Sequence, residues 1–273
     1  MNTQVQEHYA SVDIVERILA AIPWPRDDDT ALVARQLYPF DQLHGRELTA
    51  TQDHGARLSP SPASHVLDIG SGIGGPARYL ATTFGCRVTG IDVTPHFVAA
   101  AEDLTDLCGL SDLVAFHQAD ARAMPFDSDS FDHAVCFYVG MNLTDKPAVL
   151  EECHRVLRPG GSLLWTEVTL ASGDPHYPLP WSRSASDSHL LTRPSLTALF
   201  ERAGFGLQSV EDETKAHLEL AQRMKSITTM PTIEQRQANE VVLGSDFGLR
   251  RKNYIRSLAE NRIKSTLISA RKP

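Results

Sequence analysis

Three aspartates and a run of glycines are the residues of this chain best spaced for chemistry. In His65-Val66-Leu67-Asp68-Ile69-Gly70-Ser71-Gly72-Ile73-Gly74-Gly75-Pro76, an apolar run that reads as a strand covered on both faces leads into glycines at alternate positions, Gly70, Gly72 and Gly74. Glycine permits positive φ and close approach of a ligand to the backbone. The turn and the helix start at Gly75-Pro76 aim N–H groups at whatever is bound. Gly70, Gly72 and Gly75 satisfy G-x-G-x-x-G, the dinucleotide fingerprint, whereas Asp68, Gly70, Gly72 and Gly74 satisfy D-x-G-x-G-x-G. The two patterns ask for different ligands. A carboxylate two residues before the turn opposes an anionic pyrophosphate and suits a ligand carrying a cation. Asp92, 20 residues after Gly72, ends a second strand, where an acid accepts hydrogen bonds from ribose hydroxyls in either case. Asp120 follows a third strand and can accept the exocyclic amine of an adenine, with Ala121 and Met124 flanking the flat ring.

These acids need a frame that brings strand ends together. From residue 65 the pattern alternates regularly. Strands are expected at the apolar run of Val66, Leu67 and Ile69, and at Arg87–Asp92, Leu113–His117, Asp132–Tyr138 and Ser162–Val168. Helices are expected from Gly75 to about Phe84, from Pro95 to Leu107 and from Asp145 to Leu157, with Thr94-Pro95 as a cap and first-turn pair and Arg158-Pro159-Gly160-Gly161 as a turn. The alternation implies an α/β fold with a parallel sheet and helices on both faces, and Asp68, Asp92 and Asp120 then lie at the C-terminal ends of successive strands, where such sheets bind ligands. Upstream, Val12, Val15, Ile18, Leu19 and Ile22 fall at helical spacing up to Pro23-Trp24-Pro25. Arg26–Asp29 reads as a solvated loop, and Thr49–Leu58 as a further helix. Downstream, residues 171–191 form an aromatic loop, a helix runs from Arg193 to Ala203, and Leu207–Glu213 is a strand. Residues 214–261 are helical with breaks at Pro231 and Gly244, and Lys264–Arg271 is a last strand. The expected division is a helical lid at 1–60, a ligand-binding core at 61–213, a helical cap at 214–261 and the last core strand at 262–273.

Val66–Gly74, Gly90–Asp92, Asp120–Phe126 followed by Phe131-Asp132, and Arg155–Gly161 together resemble the motifs of the class I S-adenosylmethionine (SAM)-dependent methyltransferases, in particular the small-molecule type 11 family. The resemblance covers about residues 65–170. It implies a Rossmann-like, doubly wound, seven-stranded, mostly parallel sheet with the last strand antiparallel, an N-terminal helical lid, and a helical insertion before that strand. It implies SAM as methyl donor, with S-adenosylhomocysteine (SAH) as product, held by Asp68, Gly70, Ser71, Gly72, Gly74, Asp92, Val93, Asp120, Ala121, Phe137, Met141 and Gln52. Tyr138–Lys146, Pro178-Leu179-Pro180-Trp181 and Ala203-Gly204-Phe205 are similar to the branch of glycine/sarcosine/dimethylglycine N-methyltransferases and related natural-product biosynthesis enzymes. Many members of that kind carry an acidic pair or a histidine after the fourth strand. Here that segment is Gly140-Met141-Asn142.

Methyl transfer from a sulfonium is an in-line displacement that asks mainly for alignment and exclusion of water; a hydroxyl acceptor gains more from a positioned base than an amine does. The residues placed to serve are His176 in the aromatic loop, Tyr138 at the end of the fourth strand and His44 in the lid segment. With no strong base constellation visible, N-methylation of a small molecule is favoured over O-methylation, with C- and S-methylation open. The competing readings are an NAD(P)-dependent oxidoreductase and a SAM-binding protein without catalysis. The remaining histidines, His217 among them, show no metal-ligand spacing, and no metal is expected. A net charge of −8 gives no footprint for nucleic acid, and no apolar run approaches a membrane span. Cys86, Cys108, Cys136 and Cys153 lack C-x-x-C spacing and no secretory signal is visible, so a reduced, cytoplasmic protein is expected, a monomer or homodimer.

Overall fold

Short apolar strands separated by helices need cover on both faces, and the chain resolves this as a single layered sheet. The computed structural model describes residues 14–22, 32–226, 240 and 242–273. Its strands are β1 (His65–Ile69), β2 (Arg87–Asp92), β3 (Val114–Gln118), β4 (Phe131–Phe137), β5 (Leu157–Leu170), β6 (Gly206–Asp212) and β7 (Ile263–Arg271), in the order β3-β2-β1-β4-β5-β7-β6. The pairs β1–β2, β2–β3 and β4–β5 are parallel, while β7 is antiparallel to β5 and to β6. This is the mostly parallel, Rossmann-like sheet with an inserted antiparallel last strand.

The chain divides into two compact units. The first holds residues 1–121 with 231–245. Its helices are α1 (Ile14–Ala21), α2 (Tyr38–Asp41), α3 (Glu47–Leu58), α4 (Gly75–Phe84) and α5 (Pro95–Leu107). Ile14, Ile18 and Ile22 recur at four-residue spacing and are buried, as one face of an amphipathic helix should be. With Leu32, Leu37 and Phe40 they form a core around Ile73 of the glycine turn and Phe97 and Leu104 of α5. The Leu32 N–H also donates to the Leu107 carbonyl at 3.0 Å. The described part of the N-terminal segment is thus built into this unit. Val12, the Pro23-Trp24-Pro25 stop and the Arg26–Asp29 loop lie outside the described residues. The helix expected from Thr49 begins at Glu47. Thr94 occupies the N-cap position of α5, but its side chain makes no capping hydrogen bond; its backbone N–H donates to Asp92 instead, at 2.8 Å.

The second unit holds residues 122–230 and 246–273. Its helices are α6 (Lys146–Val156), α7 (Arg193–Arg202), α8 (Thr214–Ser226) and α9 (Phe247–Ala259). Asp145 caps α6 by accepting the Ala148 N–H at 3.2 Å, and Thr192 caps α7 by accepting the Ser195 N–H at 3.3 Å. The strand expected at Ser162–Val168 spans Leu157–Leu170. Arg158-Pro159-Gly160-Gly161, expected as a turn before the strand, is looped out as an irregularity within β5: Phe131 pairs with Leu157 and His133 already with Ser162. The break expected at Pro231 lies outside the described residues. The aromatic loop is pinned to α9, where Asn253 Nδ2 donates to the Pro178 carbonyl at 3.1 Å and Arg250 to the Pro180 carbonyl at 2.7 Å. No described helix is long and apolar enough to cross a membrane.

Candidate active site

The glycine turn sits where the first unit's sequence placed it, between β1 and α4. Gly70, Gly72 and Gly74 all have positive φ, 72°, 53° and 83°. Gly74 has a second requirement: a Cβ there would lie 2.5 Å from the Phe116 ring. The turn is tied to β2 by its own backbone, since Gly70 and Ser71 both donate to the Ile91 carbonyl at 2.8 and 3.0 Å. Asp92 completes the tie. One carboxylate oxygen accepts the Gly72 N–H at 3.0 Å and the other accepts the Thr94 N–H at 2.8 Å. Ala119, next to Asp120, donates to the Asp92 carbonyl at 3.0 Å, so β3 delivers Asp120 and Ala121, both half-buried, beside the same strand end. Val93 is half-buried at the end of β2.

Two polar atoms beneath this turn have no hydrogen-bond partner among the described residues: Asp68 Oδ2 and Ser71 Oγ, on side chains 2% and 4% exposed. A buried carboxylate oxygen left in this state is costly. Burial, with the charge of Asp92 adding to it, pushes the Asp68 carboxyl up to about 7. A ligand bringing a cationic group or a hydrogen-bond donor to this spot relieves that cost, and one bringing a phosphate adds to it. The residues present fit the methionine-like, ammonium-bearing end of SAM.

A buried polar chain runs behind the turn. Arg78 of α4, fully buried, donates to Asp41 at 3.0 Å and to the Ile73 carbonyl at 2.7 Å. Gln42 donates to the other Asp41 oxygen at 2.8 Å and accepts from the Thr51 hydroxyl at 2.5 Å, and Thr51 meets His44 Nε2 at 2.9 Å. His44 is therefore a half-buried end of a network that locks α2 and α3 to the turn. Gln52 is exposed on α3, and it is Gln42 that is buried. Neither Asp41, Gln42 nor Arg78 announced itself in the sequence; the only trace was a charged residue among the apolar positions of α4.

In the second unit, Met124-Pro125-Phe126, downstream of Asp120, is held by two residues of α6. Arg155 donates to the Phe126 and Met124 carbonyls at 2.6 and 3.1 Å, and Glu152 accepts the Met124 N–H at 2.7 Å while pairing with Arg155. The motif at Asp120–Phe126 and the motif opening at Arg155 are thus parts of one clamp.

Phe137 is the buried last residue of β4, and Tyr138 follows it at φ 59°, a left-handed conformation that is costly for a bulky side chain and concentrates at functional positions. Its hydroxyl lies 2.7 Å from His217 Nε2 and 2.8 Å from Ser265 Oγ, and His217 Nδ1 lies 3.3 Å from the Tyr254 hydroxyl. Met141 is buried on the 3-10 turn Gly140–Asn142. That turn rests on Glu167, fully buried and held by Trp165 Nε1 at 2.9 Å and by Lys146 Nζ at 3.2 Å. A Cβ on Gly140 would come within 2.2 Å of Glu167 Oε2. Gly140→Ala is expected to displace the turn and cost about 1–3 kcal/mol, read as a fall in urea midpoint; an unchanged midpoint would mean that the turn is not anchored on Glu167. His176 stands apart from this cluster. Its Nε2 lies 2.7 Å from Glu260 in a part-exposed ion pair, and its backbone N–H donates to Ser257. The structure thus gathers Tyr138 with His217, a histidine the sequence reading passed over, and pairs His176 with a surface acid.

A methyltransferase-domain family model matches residues 67–165. Among curated relatives, the chain is 33% identical over 151 residues to an O-methyltransferase of Pyrenophora dematioidea, covering 55% of this chain and 57% of that protein. It is 33% identical over 129 residues to the glycine/sarcosine/dimethylglycine N-methyltransferase of Actinopolyspora halophila, covering 47% of this chain and 23% of that one. The match to the curated relatives therefore spans little more than half of their length, or less. The geranyl diphosphate C-methyltransferase of Streptomyces coelicolor A3(2), solved with SAH, superposes with a TM-score of 0.70 at 17% identity, covering 99% of this chain and 97% of that one, which is a likeness of fold. The turn bearing Asp68, the acid ending β2 and the clamp at Arg155 all fall within the segment, residues 67–165, that the methyltransferase-domain model matches.

Proposed function

We propose that the chain is a SAM-dependent methyltransferase acting on a small-molecule acceptor. The observation that carries the reading is the buried, unpartnered Asp68 oxygen beneath the glycine turn, with Asp92 beside it. Two close carboxylates favour an ammonium over a pyrophosphate. SAM supplies a methyl group already activated on a sulfonium. The residues of this chain supply the grip: the turn amides and Asp68 for the amino-acid end, Asp92 for the ribose, Asp120 and Ala121 for the adenine, with Val93 as an apolar contact. Three relatives methylate oxygen, nitrogen and carbon by their names, so what this chain shares with them is the donor. Four cysteines without a disulfide fit a reducing compartment, and the protein is taken to be cytoplasmic, a monomer or homodimer.

Calorimetric titration with SAH and, separately, NAD⁺ tests the reading. Binding of SAH with no heat from NAD⁺ supports it, and the reverse overturns it in favour of an oxidoreductase. Transfer of label from methyl-labelled SAM to an acceptor separates an enzyme from a protein that only binds SAM. Asp68 adds a pH signature. Its folded-state pKa, about 7, stands above the ordinary 3.8. The ligand-free folded chain therefore holds a proton that the unfolded chain has lost, and stability falls as pH rises from about 4 to about 7. The ammonium of SAH needs the ionised carboxylate, so its affinity is expected to rise across the same window and level off above pH of about 7. Asp68→Asn should flatten that rise; an identical pH profile in the variant would remove Asp68 from the site.

A further inference from the structure

We infer that Tyr138, backed by His217, is the proton acceptor for a hydroxyl group, and that the acceptor is accordingly a phenol or alcohol. The inference rests on the methyltransferase reading and names the acceptor class for it. Four polar groups from four distant parts of the second unit form one hydrogen-bonded chain, in which His217 and Ser265 both meet the Tyr138 hydroxyl. Tyr138 comes from the end of β4, His217 from α8, Tyr254 from α9 and Ser265 from β7. His217 is 3% exposed and Tyr254 6% exposed, while Tyr138 is the most accessible of the three at 9%. The Tyr254 ring is fixed from its other side by Trp181, edge to face at 5.9 Å. The hydrogen-bonded chain centres on a non-glycine residue at φ 59°, immediately after a strand end where α/β sheets place their ligands.

Counting protons sets the directions. A phenol has one proton to give. When Ser265 Oγ donates to Tyr138 Oη, the Tyr138 O–H is left to donate to His217 Nε2. His217 then carries its proton on Nδ1 and donates it to Tyr254 Oη. In this arrangement the Nε2 lone pair of His217 is held against the Tyr138 hydroxyl by a 2.7 Å hydrogen bond. A hydroxyl acceptor brought to Tyr138 Oη gives its proton to that oxygen as the original Tyr138 proton passes to Nε2. The acceptor O–H bond breaks, a new tyrosine O–H bond forms, and the positive charge ends on His217. The acceptor oxygen, now an anion, bonds the methyl carbon while the carbon–sulfur electron pair stays on sulfur. The imidazolium later returns its proton to solvent through the same tyrosine. The amine acceptor favoured by the sequence rested on the absence of a visible base in Gly140-Met141-Asn142. The base here comes from a helix 79 residues further along the chain.

The test uses the full chain saturated with SAH and 4-nitrophenol as the hydroxyl probe, at a pH below the probe's own titration. Only its anion is yellow. In the wild-type complex the anion fraction should rise about tenfold over buffer, the equivalent of one pKa unit. Tyr138→Phe keeps the ring and removes the oxygen, and His217→Gln removes the imidazole; both should abolish the rise while SAH affinity stays within about twofold of wild type. If His217→Gln does not fold, Tyr138→Phe alone decides. A colourless wild-type complex, or colour that survives Tyr138→Phe, overturns the relay. Failure of SAH to bind at all would instead strike the methyltransferase reading.

Discussion

Asp92→Ala is expected to weaken SAH binding about 100-fold while leaving a folded protein. Asp92 does two jobs with one carboxylate. It accepts the Gly72 N–H on one oxygen and the Thr94 N–H on the other, at 3.0 and 2.8 Å, holding the glycine turn to the first turn of α5. The Thr94 hydroxyl and the Val93 N–H also turn toward this carboxylate, and a ribose hydroxyl would join them at the same acceptor oxygens. Each hydrogen bond to a charged group is worth about 1.5–3 kcal/mol, and losing one ribose contact together with the turn's anchor amounts to about 3 kcal/mol. Asp92→Asn, which keeps one acceptor oxygen, should fall between the two. Calorimetry checks the affinities and the thermal midpoint checks the fold. An affinity within about threefold of wild type in a folded Asp92→Ala would mean that the ligand does not use this strand end.

The largest effect on stability is expected at Arg78. Its guanidinium is fully buried and ties three elements together: Asp41 of α2, the Ile73 carbonyl of the glycine turn, and Thr105 and the Ala101 carbonyl of α5, the last two at 3.0 and 3.3 Å. Arg78→Met leaves Asp41 as a buried charge with only Gln42 to satisfy it, which costs about 3–5 kcal/mol. Asp41→Leu alone should cost a similar amount by stranding the arginine. The double variant Arg78→Met/Asp41→Leu should be more stable than the sum of the two losses implies, since apolar pairs often replace a buried ion pair at little cost. Urea denaturation of the four proteins completes the cycle. Strict additivity would mean that the two side chains do not depend on one another. Because Ile73 lies within the turn, the single variants should also weaken SAH binding, which links the N-terminal segment's packing to the ligand grip.

The donor side was legible because its parts are close in sequence. Asp68, the three glycines and the helix start occupy a few consecutive residues, and Asp92 ends the next strand. Strand, turn and helix there follow from alternation, from φ requirements and from capping, all of which are local. The same locality let the last strand and most helix bounds be read in advance, while the antiparallel direction of that strand came from the resemblance to the methyltransferase family. It failed at Arg158–Gly161, where turn residues are absorbed as a bulge within β5 because the flanking strand pairing with β4 resumes on both sides.

What surrounds the donor side was decided by packing alone. The hydroxyl of Tyr138 meets a histidine 79 residues away and a serine 127 residues away, and Asp41 meets Arg78 across 37. In the sequence His217 is one histidine among many on a helix, and His176 in an aromatic loop looks the better base. Desolvation sorts them. Once α8, α9 and β7 close over the end of β4, His217 is buried and must find polar partners, while His176 at the rim takes a surface carboxylate. Apolar periodicity determines which faces go inside. Which polar groups are carried in with them, and meet there, depends on elements far apart in the chain, and only the assembled fold pairs them.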